Sequence, residues 1–141
     1  MTKARNGFLA LFFMKIPHKV IINCEGEKYL TRYYLVRTRW LSVFLHIFHC
    51  SDEDRALHDH PWNYVTFLLW RGYYEHTPKG VFRRWPLTFA FHPARWRHRV
   101  ELVDGKPAVT LFIHFKRLRS WGYHLSTGWK RHDVWWKENC E

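Results

Sequence analysis

Apolar residues in the middle of the chain come in short runs separated by turn residues. Six such runs cover residues 28–39, 41–49, 62–70, 81–91, 96–103 and 108–115. They are rich in Tyr, Phe, Val, Ile and Thr, which favour the pleated, half-buried surface of a β-sheet. Because Gly, Pro and Asp separate the runs, the pattern predicts an all-β sandwich or barrel. The dipeptide Asp104-Gly105 predicts a hairpin between the last two strands.

The two ends of the chain have different patterns. The apolar residues 8–14 follow Lys3 and Arg5, as in a signal peptide, but the run ends at Lys15 and no small-residue cleavage site follows. We therefore predict a short N-terminal helix that packs on the core, with a targeting role as the alternative. No run approaches the roughly 18 apolar residues of a membrane span. Residues 118–136 are rich in Trp, and we expect an irregular segment that packs over the sheet or closes one mouth of a barrel.

Composition narrows the class of protein. The 141 residues fit one domain, covering 1–141, and 19% are aromatic. The net charge of +11 suits nucleic acid, an acidic membrane or anionic small molecules, or is a solvated basic face. Cys24, Cys50 and Cys140 show no CxxC spacing, and their odd number does not suggest a disulfide framework. A cytoplasmic location is therefore expected.

The stretch His58-Asp59-His60 is a candidate for metal binding. In a strand, residues two apart point to the same face, so His58 and His60 point together and Asp59 points away. Two imidazoles on one face can share a metal ion, but a site needs a third ligand from elsewhere. The alternative is that both histidines are ordinary polar residues of a turn.

His98 is the best candidate for the third ligand. If it points inward, so do Trp96 and Val100, while Arg97 and Arg99 point to water. That division places apolar and ligating side chains inside and guanidinium groups outside.

These spacings resemble the two motifs of the cupin family. The first cupin motif is HxH, then a glutamate after three or four residues, then a glycine six residues later; Gly72 lies at that glycine's distance from His60. The second motif, PxGxxH, resembles residues 93–98, with Arg95 in place of the glycine. The resemblance covers residues 40–116 most clearly. It implies a single cupin-type double-stranded β-helix (jelly-roll) barrel with its core at about residues 28–116.

The chain looks most similar to small cupin-like proteins of phages and bacteria. These share its His-Asp-His-Pro-Trp stretch and the segment Trp121-Gly122. Members of the family often dimerise through edge strands, so the resemblance also implies a homodimer.

The departures from the cupin pattern affect the expected metal site. The cupin glutamate falls at Tyr64 or Val65, neither of which is acidic. A three-histidine site without glutamate resembles that of thiol dioxygenases, which bind Fe(II); Zn, Mn or Ni would suit the same ligands. Glu75 is a candidate fourth ligand, or lies on a hairpin beyond the barrel mouth. Asp59 either fixes an imidazole tautomer of the site or is a turn aspartate.

Pocket residues follow from strand parity and proximity to the histidines. The predicted cavity residues are Trp62, Tyr64, Thr66 and Trp96. Arginine forks bind carboxylate or phosphate, so the arginines near loop ends are candidates for anion binding, or are simply solvated. These are Arg71, Arg83 and Arg95.

Together these features predict a metal-binding cupin that acts on a small anionic molecule. The leading hypothesis is an enzyme, a non-haem iron dioxygenase, whose iron and oxygen chemistry the resemblance implies. A Zn- or Mn-dependent isomerase is possible with the same ligands, because the cupin fold does not decide the reaction. A second hypothesis is a non-catalytic barrel that sequesters an anionic metabolite or nucleotide, with or without metal. A third is a nucleic-acid-binding protein, for which the densest basic runs are residues 116–119 and 129–132.

Overall fold

A computed structural model describes residues 15–52 and 56–140 of the chain. The strands in these ranges are β1 (His18–Ile22), β2 (Lys28–Arg37), β3 (Leu41–Phe48), β4 (Leu57–His58), β5 (Tyr64–Trp70), β6 (Tyr73–Thr77), β7 (Gly80–Arg84), β8 (Phe89–His92), β9 (Arg99–Leu102), β10 (Ala108–Phe115), β11 (Gly122–Leu125) and β12 (Gly128–Arg131). A C-terminal helix, α1, covers His132–Cys140. The helix predicted at residues 8–14 lies outside the described residues.

The strands form antiparallel sheets. The largest has the order β1-β2-β3-β10-β5-β8, and the two smaller sheets have the orders β12-β11-β4 and β7-β6-β9. The chain is mostly strand, which confirms the predicted all-β fold.

The centre of the large sheet has one buried face. In β3 the buried residues alternate with partly exposed ones, at Ser42, Phe44 and His46. Phe44 lies opposite Phe112 of β10, and His46 lies opposite Thr110. This alternation is what a period of two predicts for a strand with one face inward. The inner face therefore mixes aromatic and polar side chains, as expected of a surface that lines a cavity.

The prediction of a hairpin at Asp104-Gly105 is wrong. A tight turn does form there, with positive φ angles of 53° and 65° that Asp and Gly tolerate well. However, β9 pairs with β6, whereas β10 pairs with β3 and β5. The turn therefore carries the chain from one sheet to another, because the local turn signal does not decide which strands pair.

The C-terminal region is more regular than predicted. The segment expected to be irregular contains the β11–β12 hairpin and the beginning of α1. Trp135 of the helix is 2% exposed and stacks on Tyr123, with ring centroids 4.1 Å apart. A disulfide joins Cys24 to Cys140, which corrects the expectation drawn from the odd number of cysteines; Cys50 is the third, and it is free. Within the described ranges, no helix is both long and apolar enough to cross a membrane.

Candidate metal centre

The three histidines singled out by spacing meet in the fold. His58 lies in β4 and His98 directly before β9, and their backbones pair: His58 N–H donates to His98 O at 2.8 Å, and His98 N–H donates to His58 O at 3.0 Å. The potential ligand atoms of His58, His60 and His98 all lie within 4.8 Å of one another. His60 Nε2 and His98 Nε2 are 3.0 Å apart. Both nitrogens can therefore contact one ion about 2.0–2.1 Å from each.

Burial favours the neutral form of two of these imidazoles, those of His58 and His60. It lowers the pKa of His58 to about 4, although the carboxylate of Asp52 acts in the opposite direction. Burial and the neighbouring His58 lower the pKa of His60 well below its ordinary value. A neutral imidazole has a free lone pair, which is the form that binds metal. The residues present therefore fit a divalent metal ion.

Glu75 lies behind His98 and away from the ligand cluster. Its side chain is fully buried, and Oε1 accepts a hydrogen bond from Nδ1 of His98 at 2.7 Å. Trp96 Nε1 donates to the same oxygen at 2.9 Å, and Arg84 Nε donates to Oε2 at 2.6 Å. His92 Nε2 lies 3.1 Å from Oε1. Glu75, the predicted candidate fourth ligand, therefore contacts the Nδ1 edge of the His98 ring, and Nε2 lies on the other edge.

This contact is the usual support of a metal-binding histidine. A carboxylate that accepts from one ring nitrogen fixes the tautomer and leaves the other nitrogen for the metal. Burial alone would raise the pKa of Glu75, but the hydrogen bonds from His92 and His98 lower it well below its ordinary range. Glu75 is therefore a carboxylate at neutral pH and orients His98.

Asp52 is a second supporting carboxylate, which the sequence pattern did not single out. Its Oδ2 accepts from the backbone N–H of Val100 at 2.7 Å and lies 3.9 Å from Nδ1 of His58. Tyr29 donates its hydroxyl to Oδ1. Asp52 belongs to a polar acidic turn, so nothing in its spacing distinguished it from a solvated turn residue. His92, which supports Glu75, directly precedes Pro93, and its spacing does not distinguish it either.

Asp59 has a role that the sequence did not predict. It is 1% exposed, and its carboxylate accepts from Gly122 N–H at 2.8 Å, His124 Nε2 at 2.8 Å and Trp129 Nε1 at 3.1 Å. Arg119 Nη1 lies 2.8 Å away. Burial alone would raise the pKa of Asp59, but the hydrogen bonds from Arg119 and Gly122 lower it below its ordinary value. Asp59 therefore ties the histidine segment to the β11–β12 hairpin and does not contact the metal-site imidazoles.

A cavity of about 1540 Å³ adjoins the three histidines. Trp62, Tyr64 and Thr66 are among the residues that line it. Tyr64 stands at one of the two positions where the cupin motif has its glutamate, and its hydroxyl lies 3.2 Å from His98 Nε2. Trp96 contributes through Glu75 instead of lining the cavity.

The arginines predicted to bind an anion lie elsewhere. None of the three, Arg71, Arg83 and Arg95, is among the described residues that line the cavity. Arg83 donates to the backbone oxygens of Arg71 and Arg84 and lies over the ring of Trp85. Arg71 and Arg95 are exposed.

Comparison with known proteins identifies the fold. No protein-family model matches the sequence, and no curated protein matches it. Among solved structures, Fe(II) HppE has a TM-score of 0.61 at 16% identity over 72% of this chain; the chain spans 57% of the length of that structure. The DMSP lyase DddQ from Ruegeria pomeroyi DSS-3 has a TM-score of 0.62 at 16% identity, covering 88% of this chain and 67% of its own.

A third similar structure is a sugar phosphate isomerase of the cupin superfamily from Silicibacter pomeroyi DSS-3. Its TM-score is 0.59 at 13% identity, covering 85% of this chain and 90% of its own. Identities at this level carry the fold and not the reaction. The chain has the cupin fold, as the resemblance of its motifs implied.

Proposed function

We propose that this cupin-fold protein binds one divalent metal ion through His58, His60 and His98 and acts on a small anionic molecule. With Fe(II) bound, the proposed reaction is a dioxygenation. The observation that carries the proposal is the convergence of three imidazoles on the wall of a large cavity. A solved structure of the same fold contains Fe(II), which supports iron as the metal.

The residues around the histidines suit this role. When bound, Fe(II) would supply open coordination positions for a chelating substrate and dioxygen. Glu75 holds the Nδ1 proton of His98, so that Nε2 stays available. Tyr64 places a hydroxyl beside the ligand nitrogens, where it can donate a hydrogen bond to a bound substrate. Trp62 and Phe112 add apolar surface to the cavity wall.

The carboxylates near the site favour dioxygenation over isomerisation. An isomerase needs a general base within hydrogen-bond reach of its substrate, whereas a dioxygenase needs none. Asp52 and Glu75 are the carboxylates that the structure places beside ring nitrogens of His58 and His98. Both lie on the Nδ1 side of an imidazole and accept hydrogen bonds from several donors. A Zn- or Mn-dependent isomerase is still a second candidate, since a sugar phosphate isomerase shares the fold.

Metal analysis of protein purified without a histidine tag tests the proposal. We expect close to one ion per chain in the wild type, and its loss in His58→Ala and His98→Ala with unchanged circular dichroism. His18→Ala removes an exposed histidine of β1 and is the matched control, which should keep its metal.

The identity of the metal separates the candidate reactions. Iron, together with oxygen uptake by the anaerobically Fe(II)-loaded protein when small anionic compounds are added, supports the dioxygenase. Stoichiometric Zn or Mn with no gain of activity on Fe(II) loading would refute dioxygenation and favour the isomerase. Failure of the wild type to bind any metal, even after anaerobic Fe(II) addition, would refute the metal site and leave a metal-free binding barrel.

A further inference from the structure

A second pocket opens beside the metal cavity. It has a volume of about 500 Å³ and lies on the inner face of the β2–β3 end of the large sheet. We call it the arginine pocket; its lining residues are Arg32, Tyr34, Arg37, Thr38, Arg39, Ser42, Phe44, Trp62 and His114.

A β-bulge in β2 directs the arginines to one side. Tyr34 pairs with Phe44 and Val36 pairs with Val43, so Leu35 is the extra residue. In an unbroken strand, Arg32 and Arg37 would face opposite ways, because they are five residues apart. The bulge reverses the alternation, and both side chains line the same pocket.

The positive charge of this pocket has no acidic partner in the described part of the chain. The sequence contains no Asp or Glu at residues 28–51 or 105–132, which include β2, β3 and β10. Arg32 donates from Nε to the neutral ring of His46 at 3.0 Å. Arg84, in contrast, is paired with Glu75. Burial lowers the pKa of Arg32, because holding the guanidinium charge away from water costs free energy.

The arginine pocket and the metal cavity are continuous. Arg32 and Trp62 line both of them. The indole of Trp62 stacks on His114 with ring centroids 4.0 Å apart and forms a flat wall at the junction. A single small molecule can therefore occupy the arginine pocket with one end and extend past Trp62 towards the three histidines.

We infer that the arginine pocket binds the phosphate group of a phosphorylated small molecule whose other end reaches the metal centre, a substrate class that rests on the function proposed above. Guanidinium groups bind phosphate with paired N–H donors, and the hydroxyl groups of Tyr34 and Ser42 add further hydrogen-bonding groups. Three arginines in one pocket favour a dianion, such as a phosphate monoester, over a single carboxylate.

The shape of the site favours a small molecule over a nucleic-acid strand. The pocket is a concavity of about 500 Å³, and its lining includes Phe44 and His114. The open basic surface next to it carries Trp40, which lies beneath the cations of Arg39 and Lys116. A strand of nucleic acid would engage that open surface and its charges broadly.

Calorimetric titration with inorganic phosphate at fixed ionic strength tests the inference. The full-length protein is titrated as purified and again after removal of metal by a chelator, so that phosphate bound by a metal ion is recognised. Arg37→Gln removes one exposed guanidinium from the pocket. Arg117→Gln removes the same charge from an exposed position that does not line the pocket, and is the matched control. A single-stranded oligonucleotide is titrated in parallel.

We expect phosphate to bind the wild type with one site in both preparations. Arg37→Gln should weaken binding by about tenfold or more, the size of a lost charge-assisted hydrogen bond, and Arg117→Gln by less than about twofold. Absence of phosphate binding, or equal weakening in both variants, would overturn the assignment. If the oligonucleotide bound and inorganic phosphate did not, the phosphate-site assignment would be wrong, and this face would be a nucleic-acid-binding surface.

Failure of this inference and failure of the proposed function give different results. His60→Ala should lose metal and keep its affinity for phosphate. Metal binding without phosphate binding would refute the phosphate site in the arginine pocket and support the metal centre. Phosphate binding without metal binding would refute the metal centre and support the phosphate site.

Discussion

Glu75→Gln tests how the metal-binding histidine His98 is held in place. The substitution preserves the shape of the side chain but removes its charge and replaces one acceptor oxygen with an NH₂ group. That group would face donors, because His98, Trp96 and Arg84 all hydrogen-bond to the carboxylate. The fully buried position gives the new NH₂ no access to water.

The expected loss of stability follows from these contacts. A hydrogen bond to a charged group contributes about 1.5–3 kcal/mol, and breaking a buried ion pair costs about 3–5 kcal/mol. Arg84 has 30% of its side chain exposed, so its guanidinium can recover some hydration when the carboxylate is lost. We therefore expect the lower part of that range, about 3 kcal/mol. Loss of a carboxylate behind a ligand histidine should also weaken metal binding by about 10- to 100-fold.

Urea denaturation of the metal-free protein and a metal titration measure the two effects. Glu138→Gln is the matched control, because Glu138 forms an exposed pair with Lys130 that is worth about 1 kcal/mol or less. If Glu75→Gln were as stable as Glu138→Gln and bound metal as tightly as the wild type, Glu75 would not be the residue that orients His98.

Three further substitutions test other parts of the structure. Gly122→Ala should lower the free energy of unfolding by about 2 kcal/mol or more, because the added Cβ would lie 2.2 Å from the backbone oxygen of Lys130; unchanged urea denaturation would contradict this packing. Asp59→Asn should increase hydrogen exchange at residues 122–131, since the charge that holds the β11–β12 hairpin is lost; wild-type protection there would argue against the anchor. Burial lowers the pKa of His46 well below 6.5, so the unfolded chain takes up a proton at this residue that the folded protein does not. The free energy of unfolding should therefore fall by up to about 1.4 kcal/mol per pH unit as the pH drops below about 6.5. In His46→Gln, urea denaturation at several pH values should show a shallower fall, and equal slopes would show that His46 is protonated in the folded protein.

The strands and the three histidines were predictable because both follow from local periodicity. A period of two decides which residues share a face, and Tyr64 and Thr66, which share a face by this rule, both line the cavity. The cupin motifs added the distance between the two histidine segments. Strand parity also singled out His98 as the third ligand. The backbone pairing of His58 with His98 is long-range, and no local pattern predicts it.

The supporting residues could not be predicted because their partners are distant in sequence. Glu75 and His98 are 23 residues apart, and Asp59 contacts the hairpin 63 to 70 residues later. Neither contact leaves a spacing pattern. The arginine pocket depends on the β-bulge at Leu35, which reverses the alternation that a strand pattern assumes. Arg37 therefore reads as an outward residue until the register is known.

Anomalous diffraction from crystals of the metal-loaded protein, collected at the absorption edge of the bound metal, locates the bound ion. We expect one anomalous peak per chain, within bonding distance of His58, His60 and His98, with Glu75 hydrogen-bonded to His98 and not to the ion. A peak at another site, or no peak between these histidines in crystals soaked with Fe(II) under anaerobic conditions, would contradict this expectation.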